Sequence, residues 1–238
     1  MLCYKNGALA REQVRDNFAN GNWDVFNQLV EQTPPGCNGT MGFYFPLPEI
    51  IPPNVTGEYF FTTNLAKNTT EPPFLKKDLP PPIHPRAVLE SQFLSIRSRI
   101  AAILPEGSSP LQRLVISGGS SANTVIRQIA AVSTCSSLPT AFMTDLAKQD
   151  IFGMDVFVSA TQEAAATGGA LLAKYAWWKL SHPDGTFEDM TGAAAMGLRC
   201  VARSQKENSV IYDDLIGVYN KCEEEVVRLW DLKMQEST

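Results

Sequence analysis

The sequence predicts an α/β fold. Two strand-like runs, RLVI (113–116) and FGMDVFVSA (152–160), each lead into a stretch with helical apolar spacing. That alternation places helices against a sheet. Between the first strand and its helix lies VISGGSSAN (115–123), where two adjacent glycines sit among small polar residues.

Taken in order, the chain opens with MLCYKNGALARE, in which Asn6-Gly7 predicts a β-hairpin, because both residues tolerate the positive φ of a type I′ turn. In the segment that follows, Trp23, Phe26, Leu29 and Val30 recur at helical spacing, and Pro34-Pro35-Gly36 stops the helix. The aromatic run Phe43-Tyr44-Phe45 predicts a buried strand, and GEYFFTT (57–63) a second. The proline-rich segment 64–85 is expected to be a surface loop. From Arg86, apolar residues at 89, 93, 96, 100 and 103–104 describe a helix of several turns. Strand 113–116, the glycine loop and a helix over 121–131 follow, then strand 152–160 and a helix over 163–180. Gly168-Gly169 lie inside that last helix, where each glycine costs about 1 kcal/mol relative to alanine. Their presence points to close packing against another backbone or a ligand. VIYDDLIGVYNKCEEEVVRLWDL (210–232) is a long amphipathic helix with an acidic outer face. The pattern reads as one α/β domain over residues 1–238.

Composition narrows the function. The 238 residues are 44% hydrophobic and 19% charged, which fits a globular protein. A net charge of −5 with no basic stripe argues against a nucleic-acid partner. Five dispersed cysteines without a CxxC pair, and two histidines each followed by proline, give neither a metal site nor a disulfide framework. Reduced thiols and a cytoplasmic location are the expectation. No apolar run reaches the ~18–20 residues of a membrane span, and no secretory signal opens the chain. The three sequons at Asn38, Asn54 and Asn68 then read as chance matches. The chain begins inside an expected strand, so it reads as a fragment.

The glycine loop is neither GxxxxGK[ST] nor GxGxxG. Its glycines nevertheless permit close approach of a ligand to the main chain. Ser120, Ser121 and Asn123 offer capping or ligand hydrogen bonds, and a helix N-terminus favours an anion.

With its neighbours the loop is more specific. LVISGGSSANTVIRQIAA, IFGMDVFV and EAAATGGALLAKYA together resemble the C-terminal half of the FGGY carbohydrate kinases. MLCYKNGALARE, NWDVFNQLV and GFYFPLPEIIP are similar to the eukaryotic, fungal-like xylulose kinases within them. The resemblance runs from residue 1 to about residue 232. It implies a ribonuclease H-like (actin-like ATPase) domain, the ATP-binding half of a two-domain sugar kinase that phosphorylates D-xylulose with ATP and Mg2+. Gly118 and Gly119 match the glycine pair against the nucleotide, and Asn123 matches the polar residue that completes the site. Trp23 matches a tryptophan beside ATP, with a core aromatic as the alternative, and Ser120 is a weaker candidate. Gly168-Gly169 match a helix packed under the site.

In this family the sugar site and the catalytic aspartate belong to an N-terminal domain, which this sequence lacks. No carboxylate here, Asp145 and Asp150 included, is assigned as a catalytic base, and the pentulose would be met only through that other domain. The resemblance leaves room for a homodimer. Two other readings stay open: a truncated, non-catalytic binding module, and a dinucleotide-binding domain of an oxidoreductase. The second lacks both GxGxxG and an acidic residue in a ribose position.

Residues 132–149, VSTCSSLPTAFMTDLAKQ, interrupt the family pattern, and their removal gives QIAADIFGMDVFVSA. Valine codons begin GT and glutamine can be CAG, so the segment reads as a translated, unspliced intron. A surface insertion, cheap in loop-closure entropy, is the alternative. Deleting 132–149 is predicted to leave thermal stability unchanged or raised. A melting temperature several degrees lower would make the segment structural.

Overall fold

Asn6 does not turn a hairpin; it starts a helix. In the computed structural model, which describes residues 2–62, 73–104, 111, 113–130, 152, 154–159, 163–192, 198–202 and 210–236, α1 spans Gly7–Phe18. Asn6 precedes it at φ −93°, ψ 5°. The cause is distant in sequence. The Glu49 carboxylate accepts from the Lys5 and Asn6 backbone amides (2.6 and 3.1 Å) and from Asn6 Nδ2 (3.0 Å). Asn6 Oδ1 in turn accepts from Leu47 N at 2.8 Å. Burial disfavours the charge on Glu49, but these donors outweigh it and hold the carboxyl below its ordinary value. Ala10 and Val14, one turn apart, bury the inner face of α1.

The helix α2 spans Trp23–Gln32, capped by Asn22 Oδ1, which accepts from Asp24 N and Val25 N. A 3₁₀ turn over Pro35–Asn38 leads into β1 (Thr40–Phe45), which pairs antiparallel with β2 (Gly57–Thr62). β3 (Phe74–Lys76) adds a short outer strand inside the segment expected to be loop. α3 (His84–Ile103) packs against α1, α2 and β1. A second sheet follows. β4 (Arg113–Ile116) lies parallel to β5 (Asp155–Ser159), and β6 (Leu198–Ala202) joins the other side of β5 antiparallel. Between β4 and β5 the chain forms α4 (Thr124–Ala130). The segment 132–149 lies outside the described residues.

α5 (Ala164–Lys179) and α6 (Phe187–Thr191) precede β6. α7 (Val210–Glu236) closes the fold by packing on α3. α6 and β6 were not expected from the sequence; α6 is set by a capping box between Thr186 and Asp189. Among the described residues nothing packs closely on Gly168 or Gly169. A Cβ at either position would meet nothing within 4 Å.

The core centres on Phe26, Phe43, Phe61, Leu89 and Tyr219, all at most 2% exposed. Beneath it, Arg86 Nε donates to Glu90 Oε1 at 2.6 Å and Nη2 to the Tyr212 hydroxyl at 3.0 Å, while Nη1 donates to the Thr33 carbonyl. The hydroxyl of Tyr212 completes the ring by donating to Glu90. Burial opposes the charge on Arg86, but Glu90 and Tyr212 outweigh it and raise its pKa. This network joins α2, α3 and α7. Among the described residues no helix is long and apolar enough to cross a membrane.

His84 is fully buried, its ring stacked on Phe18 at 3.8 Å. Nε2 sits 3.1 Å from the Leu79 carbonyl, so it carries the proton, and Nδ1 accepts from Tyr44 Oη at 2.9 Å. Burial lowers the pKa of His84, with Leu79 and Asp78 offsetting part of the effect. The unfolded chain therefore binds the proton more readily than the folded one. The contribution of His84 to stability is complete above the ordinary histidine pKa of about 6.5 and is lost as pH falls from there through the folded value. Urea unfolding from pH 7.5 to 5 is predicted to show this loss, and His84→Gln to flatten it. An unchanged slope in the variant would contradict the assignment.

Candidate functional site

The glycine loop is held in a conformation that few residues adopt. Gly118 has φ +80° and ψ −167°, a region that is essentially glycine-only. Gly119 does not have positive φ and starts a 3₁₀ turn over Gly119–Ala122. Ser121 Oγ closes the turn by donating to the Gly118 carbonyl at 2.7 Å. The helix expected from residue 121 thus begins at Thr124.

Asn123 has two engaged ends. Its Oδ1 accepts from Ile126 N at 3.0 Å, which caps α4, and its Nδ2 donates to Asn27 Oδ1 of α2 at 2.9 Å. One side chain therefore both finishes the loop and docks it on α2. The cap takes one of the amides that a helix N-terminus would otherwise offer to an anion.

The positive charge at the loop comes from α1. Arg11 Nη2 donates to Ser120 Oγ at 2.9 Å, and Nη1 to Gln92 Oε1 of α3 at 2.6 Å. Both acceptors are neutral. Burial lowers the pKa of Arg11, with Glu12 offsetting part of the effect, and among the described residues it forms no ion pair. A partly buried guanidinium that is hydrogen-bonded only to neutral acceptors favours an anion beside it.

Trp23, Gly119, Ser120 and Asn123 line one cavity of about 490 Å³, together with Arg11 and Glu12. That volume falls within the range of small-molecule sites. Gly118 shapes the backbone at its edge and does not line it. Trp23, at the first position of α2, is half-buried and is held edge-on by Phe26 at 5.2 Å. The guanidinium of Arg15 lies 4.8 Å over its ring. Four of the five predicted site residues thus meet in one place. Arg11 and Glu12 were missed, although Ala8, Arg11, Glu12 and Arg15 share one helical face. That periodicity was hidden because the segment read as a hairpin. Among the described residues, no group of three or more His, Cys, Asp or Glu is placed to hold a metal ion.

The fold is shared with one class of solved structures. Over 96% of this chain and 40% of the other, the structure is similar to a xylulose kinase from Rhodospirillum rubrum, with a TM-score of 0.64 at 16% identity. By sequence the chain is 35% identical over 191 residues to xylulose kinase 2 of Arabidopsis thaliana, covering 79% of this chain and 30% of that protein. A probable D-xylulose kinase A of Arthroderma otae is also 35% identical, over 215 residues, covering 81% of this chain and 34% of that one. The sequence profile described as the FGGY family of carbohydrate kinases, C-terminal domain, matches residues 2–177. The chain belongs to the FGGY family of carbohydrate kinases. It spans about a third of the length of the curated relatives it matches. Family membership removes the dinucleotide-binding oxidoreductase from consideration.

The two glycines are predicted to respond differently to substitution. Gly118→Ala forces a side chain into a glycine-only region and should lower the unfolding free energy by ~1–3 kcal/mol. Gly119→Ala meets open space and has no positive φ, so it should cost well under 1 kcal/mol. Urea titrations of the two variants check this; equal losses would contradict it.

Proposed function

We propose that this chain is the nucleotide-binding part of a D-xylulose kinase and that the 490 Å³ cavity receives ATP. The observation that carries the reading is the convergence of Trp23, Gly119, Ser120 and Asn123 on one cavity that also holds Arg11, a cation bonded to neutral acceptors. Each has a task that suits the ligand. Trp23 offers a ring for stacking the base. Gly118 and Gly119 keep the loop free of side chains where the nucleotide lies, and Arg11 and Ser120 face its phosphates. Asn123 fixes the loop to α2 so that base and phosphate contacts keep their spacing.

Phosphoryl transfer depends on positioning and charge stabilisation. In this reading the domain holds the nucleotide and neutralises its charge. The base that takes the proton from the sugar hydroxyl comes from the part of the relatives that this chain does not span. Mg2+ would arrive with the phosphates, because the described residues provide no ligand cluster of their own, and no step is assigned to it here. A non-catalytic nucleotide-binding role for the chain by itself uses the same site.

Isothermal titration with ATP, with circular dichroism to confirm folding, tests the assignment. Trp23→Ala should weaken binding roughly 5–150-fold, the equivalent of ~1–3 kcal/mol of base stacking. Arg11→Gln should weaken ATP more than adenosine, with the difference shrinking as salt is raised. Folded variants that bind ATP as tightly as wild type would overturn the site. By itself the chain should give no xylulose-dependent ADP release. Turnover at ordinary kinase rates of about 1–100 s⁻¹ would contradict the division of labour.

A further inference from the structure

A second cavity, of about 110 Å³, lies between α1, β1, α3 and α7. Phe43, Phe45, Val88, Phe93 and Ile96 supply apolar wall, and none of its lining residues is exposed. The polar groups at its edge are already engaged. The Tyr44 hydroxyl bonds His84, the Tyr219 hydroxyl donates to Glu223 at 2.6 Å, and Glu49 accepts from the backbone around Asn6. Among the described residues, the buried side-chain polar atoms without a partner are Thr62 Oγ1 and Arg97 Nη1, and neither residue lines this space.

A buried water needs two to four polar partners, and these walls offer few free ones. Apolar cavities of about 150 Å³ stay dry and admit benzene or xenon. This space is smaller and open on one side, and it shares with them an apolar wall with few free polar partners for water.

One wall is shared with the nucleotide cavity. Arg11 lines both. Gln92 Nε2 donates to the Gly7 carbonyl at 3.0 Å, Arg11 donates to Gln92 Oε1, and the same guanidinium reaches Ser120 of the glycine loop. A molecule filling the apolar side would pack under this chain of hydrogen bonds and restrict α1.

We propose that the cavity between α1, β1, α3 and α7 binds a small apolar molecule, up to the size of one six-membered ring, and that its occupancy strengthens nucleotide binding across the Arg11–Gln92 wall. The second part rests on the nucleotide reading given above; the first does not.

The test uses the full chain with benzene and xenon as probes. In methyl NMR spectra, either probe should produce saturable shifts at Ile51, Val88 and Ile96. Ser91→Leu, which fills the space from α3, should abolish them, and Ser91→Val serves if the larger side chain prevents folding. With benzene saturating, the ADP dissociation constant should fall about fivefold, the low end of typical coupling between sites. Absent or non-saturating shifts with both probes, or shifts that persist unchanged in a folded filled variant, would overturn the site. Saturable binding with unchanged ADP affinity would overturn the coupling. A chain that binds no ADP with or without benzene would fail the nucleotide reading, and the methyl shifts would still decide the cavity.

Discussion

The contact on which the proposed site depends is the pair of hydrogen bonds made by the Arg11 guanidinium, to Gln92 on α3 and to Ser120 in the glycine loop. They join three elements far apart in the sequence. They also leave the cation facing a cavity whose acidic lining residue, Glu12, forms no ion pair with it among the described residues. A partly buried charge bonded only to neutral acceptors favours an anion beside it. The loop is thereby held by a group that itself calls for a ligand. Glu49 makes the contact possible, because its grip on Lys5 and Asn6 starts α1 where Arg11 points toward the loop.

Much of the fold could be read from local signals. The spacing of Phe26, Leu29 and Val30 marks α2, Phe43-Tyr44-Phe45 marks β1, and the apolar pattern from Leu89 onward marks α3. The glycine pair between a strand and a helix located the loop. α1 was misread for a physical reason. Asn-Gly is a turn signal in isolation, but Asn is equally suited to precede a helix. The choice is made by Glu49, some 43 residues away. Such tertiary contacts override short-range preference and leave no local trace. With α1 misread, the face that carries Arg11 and Glu12 could not be seen as part of the site.

The two glycines of the loop show the same limit at finer scale. The sequence marks both as permissive, but only the structure separates Gly118, whose backbone requires glycine, from Gly119, whose place is open space. Asn123 likewise carries two duties, capping α4 and docking on Asn27, that no single sequence position announces. The site is therefore a product of docking between α1, α2 and the loop. Its chemistry follows from that geometry: a ring at one place, small backbone at another, and a cation on α1 bonded to the loop.

The most direct test of the central claim maps where a nucleotide touches the folded chain. In a ¹H–¹⁵N spectrum titrated with ADP and Mg2+, the account predicts saturable shifts of the Gly118, Gly119, Ser120 and Asn123 amides, the Trp23 indole and the Arg11 side chain. The sheet of β1, β2 and β3 should stay silent. Saturable shifts centred on any other surface, with the glycine loop unmoved, would contradict it.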